Sequence, residues 1–337
     1  MTSLLSIPDF FDSTRVDKVW RVPYETRAAQ AADWARQHGL QAAEADRQRI
    51  WLLLIDVQNT FCLPEFELFV AGRSGRCAIE DNIRLCEFIY RNLGIITQIS
   101  ATMDTHQAAQ IFHAIFLVNE KGEHPAPYSL VHAEDIRRGA WKFNPALAGQ
   151  FGITPEQGQE RLLHYVSQLE ARGKYELTIW PYHAMLGGIG HALVSSVEEA
   201  LFFHSIARRA DTQFEVKGNR PFTEHYSVIG PEVEKGPQGE TLGKHNPKFI
   251  ETLKRMDKLI IAGQAKSHCV AWTIADLLND IQSIDSSLAK KVYLLEDCTS
   301  PVVVPGADYT EAADQAFVKF KEAGMHIVKS TESFLEK

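Results

Sequence analysis

Short runs of apolar residues, separated by segments with helical periodicity, constrain the fold of this chain more than any other feature. The apolar runs lie at residues 49–57, 94–103, 177–183, 212–218, 258–263, 291–297 and 326–330. Helical patterns alternate with most of them, at about 78–93, 189–208, 246–256, 268–284 and 309–323. A short continuous apolar run is typical of a strand that is buried on both faces. Strands that alternate with helices predict an α/β fold in which helices cover both faces of a parallel sheet.

Two parts of the chain fall outside this alternation. Residues 1–48 are polar and rich in Ala, Gln and Arg, and we interpret them as a partly helical N-terminal extension. Residues 107–176 contain a Pro/Gly-rich loop and a predicted helix over 154–172, which begins at Thr154-Pro155. We interpret 107–176 as an insertion into a single sheet domain that spans 49–337.

Composition excludes several classes of partner. The chain has 337 residues, a formal net charge of −8 and no basic stripe, which argues against nucleic acid or an anionic membrane surface as a partner. Five scattered cysteines indicate a reducing compartment rather than a disulfide framework. No secretory signal and no apolar run long enough to span a membrane are visible. These features predict a cytoplasmic protein.

Polar residues at the ends of the predicted strands are candidates for chemistry, because ligands of parallel sheets bind beyond the carboxyl ends of the strands. Asp56, Lys217 and Cys269 each follow or end an apolar run. A cation and a helix N-terminus lower the pKa of a thiol, and a carboxylate can take its proton. The three residues therefore predict an activated cysteine nucleophile.

A second set of strand-end residues consists of Asp104, His106 and His183. One carboxylate and two imidazoles with open positions suit zinc, iron or manganese. His113 is an alternative source of an extra metal contact. His268 is adjacent to Cys269, and we do not expect it to be the base, because adjacent helical residues do not face each other.

Five motifs in order along the chain resemble those of the isochorismatase-like cysteine hydrolase superfamily, and within it the nicotinamidases. They are DVQNTF (56–61), DTH (104–106), WPYH (180–183), KGNRPFTEHYS (217–227) and GQAKSHCV (263–270). The resemblance covers about 49–106 and 177–330. It implies a Rossmann-like three-layer sandwich with a mostly parallel six-stranded sheet.

The resemblance also implies an activity and a role for each matching residue. Asp56, Lys217 and Cys269 would form a catalytic triad, and the amides of Ala265 and Cys269 an oxyanion hole next to a cis Gln264–Ala265 bond. Phe61 and Trp180 would hold a flat substrate between them. Asp104, His106 and His183 would bind a divalent metal, zinc in preference to iron or manganese. The expected protein is a homo-oligomeric amidohydrolase that cleaves a small, planar, nicotinamide-like carboxamide through a thioester, while the metal orients the substrate.

The sequence departs from the nicotinamidase motifs at Thr60, at Gln110 and in the segment AMLGGIGHAL after WPYH, and it leaves alternatives open. Thr60 replaces an acidic residue, and Gln110 stands where a further histidine would fall. One alternative is a metal-independent hydrolase of the same superfamily, acting on a ureido, lactam or vinyl-ether substrate. Another is a non-catalytic binding protein of the same fold. A dinucleotide-binding protein is discounted, because no Gly-x-Gly-x-x-Gly follows the first strand.

Overall fold

The apolar runs of the sequence become the strands of a central sheet. The computed structural model describes residues 4–173, 175–304 and 306–332. In chain order the strands are β1 (Ile50–Ile55), β2 (Ile96–Asp104), β3 (Leu117–Val118), β4 (Leu130–Val131), β5 (Lys142–Phe143), β6 (Leu177–Thr178), β7 (Gln213–Lys217), β8 (Lys258–Gly263), β9 (Val292–Leu295), β10 (Val303–Val304), β11 (Ala307–Asp308) and β12 (His326–Val328).

Helices occupy most of the segments between these strands. In chain order they are α1 (Tyr24–Gln37), α2 (Asn59–Cys62), α3 (Cys77–Arg91), α4 (Ala133–Arg137), α5 (Ala148–Phe151), α6 (Pro155–Arg172), α7 (Ser195–Arg208), α8 (Lys248–Arg255), α9 (Ala271–Ile284) and α10 (Thr310–Glu322). None of the helices within the described ranges combines the length and the apolar content needed to cross a bilayer.

The central sheet has six parallel strands in the order β12-β9-β8-β1-β2-β7. Its inner strands β1 and β8 pair from Ile50 with Lys258 to Ile55 with Gly263, and every residue of both strands is buried. Complete burial explains why these strands are continuous apolar runs rather than alternating patterns. The predicted α/β fold with a mostly parallel six-stranded sheet is confirmed.

One predicted strand is wrong. Of the run 177–183, only Leu177–Thr178 is a strand, and it pairs antiparallel with Leu130–Val131 outside the central sheet. Pro181 has no N–H group to donate to a sheet ladder, and Ala184 adopts a left-handed φ of 46° that turns the chain. Leu177 and Ile179 of this run are buried in the apolar core around β6 instead, and Trp180 packs against that core while partly buried.

Two predicted helices begin later than expected. The pattern at 189–208 is an α-helix only from Ser195 onward. The pattern at 268–284 begins with a π-helical turn, Lys266–Val270, and the α-helix starts at Ala271. Cys269 therefore lies in the π-helical turn and not in the first turn of an α-helix.

The chain divides into two compact units. The first contains residues 1–103, 192–215 and 247–337, and the second contains 104–191 and 216–246. A large apolar cluster around β1, β2 and α3 forms the core of the first unit. The second unit has its own apolar cluster, which includes Phe116, Leu162 and Tyr165. The segment 107–176 lies entirely within the second unit.

The N-terminal extension packs against α7 of the first unit. Arg27 of α1 forms a buried ion pair with Glu199 of α7, with 2.5 Å between Nε and Oε1. The guanidinium of Arg27 also lies 3.9 Å from the centre of the Phe10 ring. The side chain of Ser195, the first residue of α7, accepts a hydrogen bond from the backbone N–H of Trp20. These contacts make the extension an integral layer of this unit.

Candidate metal centre and nucleophile turn

A glycine ends β8 and shapes the turn that leads to Cys269. Gly263 has a φ of 118°, and a Cβ atom there would lie 2.1 Å from the carbonyl oxygen of Ile55. Only glycine fits this close approach to β1. The next residue, Gln264, donates its N–H to the same oxygen of Ile55 at 2.8 Å. The turn therefore begins in direct contact with the end of β1.

The side chain of Gln264 and the backbone of Ala265 organise the rest of the turn. The Gln264–Ala265 peptide bond is cis, as the resemblance predicted. Gln264 donates through Nε2 to Asp81 at 2.8 Å and accepts a bond from the N–H of Ser300 at 3.3 Å. The carbonyl of Ala265 accepts from the N–H of His268. Cys269 follows on this frame and is 8% exposed.

The buried cysteines away from this turn are not suited to nucleophilic chemistry. Burial raises the pKa of Cys62 to about 12. It also raises the pKa values of Cys86 and Cys298 above the usual range of a thiol. A protonated thiol is a poor nucleophile, because the thiolate is the reactive form.

Asp56 follows β1 at the same edge of the sheet as the Gln264 turn. It is completely buried and has a φ of 47°, which is rare for a residue other than glycine. Thr102 of β2 holds it from two directions: the threonine Oγ1 accepts from the Asp56 N–H at 3.0 Å and donates to Oδ1 at 2.5 Å. Phe61 lies shortly afterwards in α2 and is 8% exposed. The first unit thus fixes the backbone and one carboxylate oxygen of Asp56.

The second unit brings the three predicted metal ligands together. One ligand atom from each of Asp104, His106 and His183 lies within 4.8 Å of the other two. The Nε2 atoms of His106 and His183 are 2.9 and 3.9 Å from Oδ2 of Asp104. His183 reaches this position because the segment after it pairs with His106, whose N–H donates to the carbonyl of Ala184.

The orientation of the two imidazoles fits a bound cation. Nδ1 of His106 faces the carbonyl of Gly218 at 3.1 Å, and Nδ1 of His183 faces that of Pro181 at 2.7 Å. Since a carbonyl only accepts, Nδ1 carries the proton, as is common for metal-bound histidines. The 2.9 Å contact between Nε2 of His106 and Oδ2 of Asp104 is a hydrogen bond only when Nε2 also carries a proton, and a metal ion bound there would take the place of that proton. Burial lowers the pKa of His183 to about 3, so that this ring is in the neutral form that binds metals.

Gly218 leaves room around these ligands. A Cβ atom at this position would lie 2.4 Å from Oδ1 of Asp104 and 2.8 Å from Cε1 of His106. Its φ of 81° also favours glycine.

Lys217 contacts the same carboxylate. Its Nζ lies 3.0 Å from Oδ1 of Asp104 and donates to the carbonyl of His225 at 2.9 Å. Burial alone would raise the pKa of Asp104, but the charges of His106 and Lys217 outweigh it and hold that pKa below its usual value. The structure thus places Lys217, predicted as catalytic, beside a predicted metal ligand.

His113, the alternative metal contact, lies close to this group. The centre of its ring is 5.9 Å from that of His106 and 6.1 Å from that of His183. It donates through Nδ1 to the carbonyls of Gln107 and Ala108, and its buried Nε2 has no hydrogen-bond partner within the described residues. It does not belong to the group of ligand atoms within 4.8 Å.

Glu224 is a buried residue that sequence reasoning did not single out. Its carboxylate accepts hydrogen bonds from Tyr165, Trp180 and Tyr226, at 2.8, 3.3 and 3.1 Å. Burial raises the pKa of Glu224 to about 7, and the neighbouring carboxylate of Glu232 adds to the shift. One feature of the sequence could have pointed to a role for Glu224: it stands two residues before Tyr226 in the motif KGNRPFTEHYS.

Comparison with solved structures gives nicotinamidases and pyrazinamidases. The yeast nicotinamidase is 18% identical with a TM-score of 0.50, and the match covers 83% of this chain and 99% of that chain. The chain has the isochorismatase-like hydrolase fold. Two further structures of this fold are the nicotinamidase/pyrazinamidase of Acinetobacter baumannii (16% identity, TM-score 0.49, 85% and 98% covered) and the pyrazinamidase of Pyrococcus horikoshii in complex with zinc (18%, 0.44, 83% and 98%). No model of a protein family and no curated protein sequence matches the chain.

Proposed function

We propose that the protein is an amidohydrolase that cleaves a small planar carboxamide, nicotinamide or a related compound, to the acid and ammonia. The observation that carries the proposal is the turn of the first unit, in which the buried Cys269 stands six residues after the close contact between Gly263 and Ile55. The close approach of Gly263 to Ile55 holds the turn, and with it the sulfur of Cys269, in a defined position. A cysteine that only fills space in a core does not need such a turn. The likeness of the fold to the yeast nicotinamidase supports the same class of reaction.

The residues of the first unit account for the covalent steps. Asp56 takes the thiol proton, and the sulfur of Cys269 attacks the carbonyl carbon to form a tetrahedral intermediate. The N–H groups of Ala265 and Cys269 stabilise the oxyanion. The carbon–nitrogen bond then breaks, Asp56 gives its proton to the leaving ammonia, and a thioester remains. A water molecule that loses its proton to Asp56 attacks the thioester, and the acid leaves as that proton returns to the sulfur.

Three residues of the second unit are the candidate ligands of a metal ion. We propose that Asp104, His106 and His183 bind a divalent cation; two imidazoles and one carboxylate favour zinc, with iron or manganese as alternatives. When bound, the cation supplies a Lewis acid that orients the substrate, for example through a ring nitrogen. Lys217 keeps Asp104 ionised and therefore able to act as a ligand. Its predicted part in activating the thiol remains a prediction, as do Phe61 and Trp180 as substrate contacts.

The experiment that tests the proposal is a screen for ammonia release from carboxamides, nicotinamide included, with and without a chelator. We expect at least one compound to be hydrolysed by the wild type, and Cys269→Ala to abolish turnover while the circular dichroism spectrum and the bound metal stay unchanged. Substantial ammonia release by this variant would exclude the covalent mechanism. Absence of stoichiometric metal from active purified protein would favour the metal-independent hydrolase instead.

The predicted homo-oligomer and cytoplasmic location belong to the same proposal. Sedimentation velocity of the full chain tests the first, and cell fractionation tests the second.

A further inference from the structure

Two aromatic side chains of the second unit donate hydrogen bonds to the same oxygen atom of the buried Glu224 carboxyl group. Trp180 Nε1 and Tyr226 Oη both donate to Oε1 of Glu224, at 3.3 and 3.1 Å. The indole Nε1 is also 3.3 Å from Tyr226 Oη. Glu224 is only 4% exposed, whereas both aromatic side chains are partly exposed. The buried carboxyl group thus binds the indole N–H of Trp180 and the hydroxyl group of Tyr226, while other parts of both rings remain partly exposed.

A helix of the 107–176 segment fixes the carboxyl group in turn. Tyr165 of α6 is completely buried and donates to Oε2 of Glu224 at 2.8 Å. The same phenol oxygen accepts a hydrogen bond from the N–H of Glu224 at 3.1 Å. Both carboxylate oxygens and the backbone of Glu224 are therefore tied down, and the carboxylate has little freedom to rotate.

We propose that Glu224 is a positioning residue that sets the orientation of Trp180 and Tyr226 for binding of a planar substrate. This inference rests on the proposed function, in which Trp180 contacts the substrate. A ring that is held only by packing can tilt, whereas a ring whose N–H or O–H is bound to a fixed carboxylate presents one face. The segment 107–176 then contributes to substrate binding through Tyr165, without touching the substrate.

The kinetic consequence follows from the type of contact. An aromatic wall stacks equally on the substrate and on the transition state, so its misplacement raises KM and leaves kcat unchanged. Replacing Glu224 by Leu removes the acceptor, and we expect KM to rise about tenfold, equivalent to the loss of one hydrogen bond, with kcat within about twofold. In Glu224→Gln the amide oxygen still accepts from Trp180 and Tyr226, and the amide nitrogen can donate to Tyr165. We expect this variant to recover most of the loss, with KM within about threefold of the wild type.

The decisive experiment combines these kinetics with NMR of the indole N–H groups in ¹⁵N-labelled protein, where Trp180→Phe assigns the resonance of Trp180. In the wild type this resonance reports the bond to the carboxyl group of Glu224, and we expect it to move in both Glu224 variants. Glu134→Gln is the control, because it removes a carboxyl of the same unit whose side chain is 73% exposed; the Trp180 resonance should then stay in place and KM should change less than about twofold.

Three results would overturn the inference: an unchanged Trp180 resonance in the Glu224 variants, an equal shift in Glu134→Gln, or a loss confined to kcat. If Glu224→Leu does not fold, the position of the Trp180 indole N–H resonance in Glu224→Gln tests the inference by itself. The NMR result needs no turnover. A protein that hydrolyses no carboxamide would therefore refute the proposed function without removing the test of Glu224.

Discussion

The ionisation of Glu224 gives a quantitative prediction about stability. Burial raises its pKa from 4.5 to about 7 in the folded protein. Between these values the folded chain keeps a proton that the unfolded chain has lost. The favourable contribution of Glu224 to the free energy of unfolding is therefore fully present below pH 4.5 and disappears as the pH rises through 7.

The size of the effect follows from the shift. One pKa unit is worth about 1.4 kcal/mol, so a rise from 4.5 to about 7 corresponds to about 3 kcal/mol, of which roughly 2–3 kcal/mol falls between pH 5 and pH 8. Glu224→Gln cannot ionise and lacks this term. We expect the free energy of unfolding of the wild type, relative to this variant, to fall by that amount between pH 5 and pH 8.

Urea denaturation at intervals of half a pH unit measures the free energy of unfolding of the wild type and of Glu224→Gln. Groups that do not interact with Glu224 affect both proteins equally and cancel in the difference. Glu134→Gln serves as the control, because the Glu134 side chain is 73% exposed and its difference from the wild type should not vary with pH. A difference between wild type and Glu224→Gln that stays constant from pH 5 to pH 8 would refute the reasoning.

Three further predictions concern the two glycines and the metal ligands. Gly263→Ala should destabilise the protein by about 3 kcal/mol or more in urea denaturation, because its Cβ would lie 2.1 Å from the carbonyl oxygen of Ile55; a cost below about 1 kcal/mol would contradict the turn as described. Gly218→Ala should weaken zinc binding at least about tenfold in isothermal titration calorimetry, since its Cβ would lie 2.4 Å from Oδ1 of Asp104, and an unchanged Kd would show that the ligands move freely. His183→Ala should lower the zinc affinity at least about 100-fold, and retained binding at one ion per chain would mean that the ligands lie elsewhere.

The central sheet could be predicted from the sequence because a strand that is buried on both faces has apolar side chains at nearly every position and is visible as a continuous apolar run. The strands β1, β8 and β9 are buried at every residue, so the apolar pattern and the structure coincide there. The run at 177–183 was misinterpreted for the same reason. Ile179 is completely buried without belonging to a strand, and an apolar run by itself does not distinguish the two cases.

The three proposed metal ligands could be predicted as a set from their places after apolar runs, although for His183 the reason was wrong, because no strand ends there. Asp104 and His106 are neighbours in the chain, whereas His183 lies 77 residues beyond His106. It joins them because His106 exchanges hydrogen bonds with Ala184 and Leu186, a pairing that involves backbone atoms and leaves no pattern in the sequence. The backbone pairing that brings His183 to the other two residues could therefore not be predicted from the sequence.

The sequence by itself determined the sheet and the turn before Cys269, because both depend on local requirements: apolar side chains in buried strands, and a glycine where φ is 118°. Only the tertiary structure decided the role of Glu224. Its donors Tyr165 and Trp180 lie 59 and 44 residues away in the chain, and its pKa depends on the exclusion of water by the residues around it. Solvent exclusion and the convergence of hydrogen-bond donors arise only when the chain is folded, and so the chemical state of a buried carboxyl group is a property of the fold.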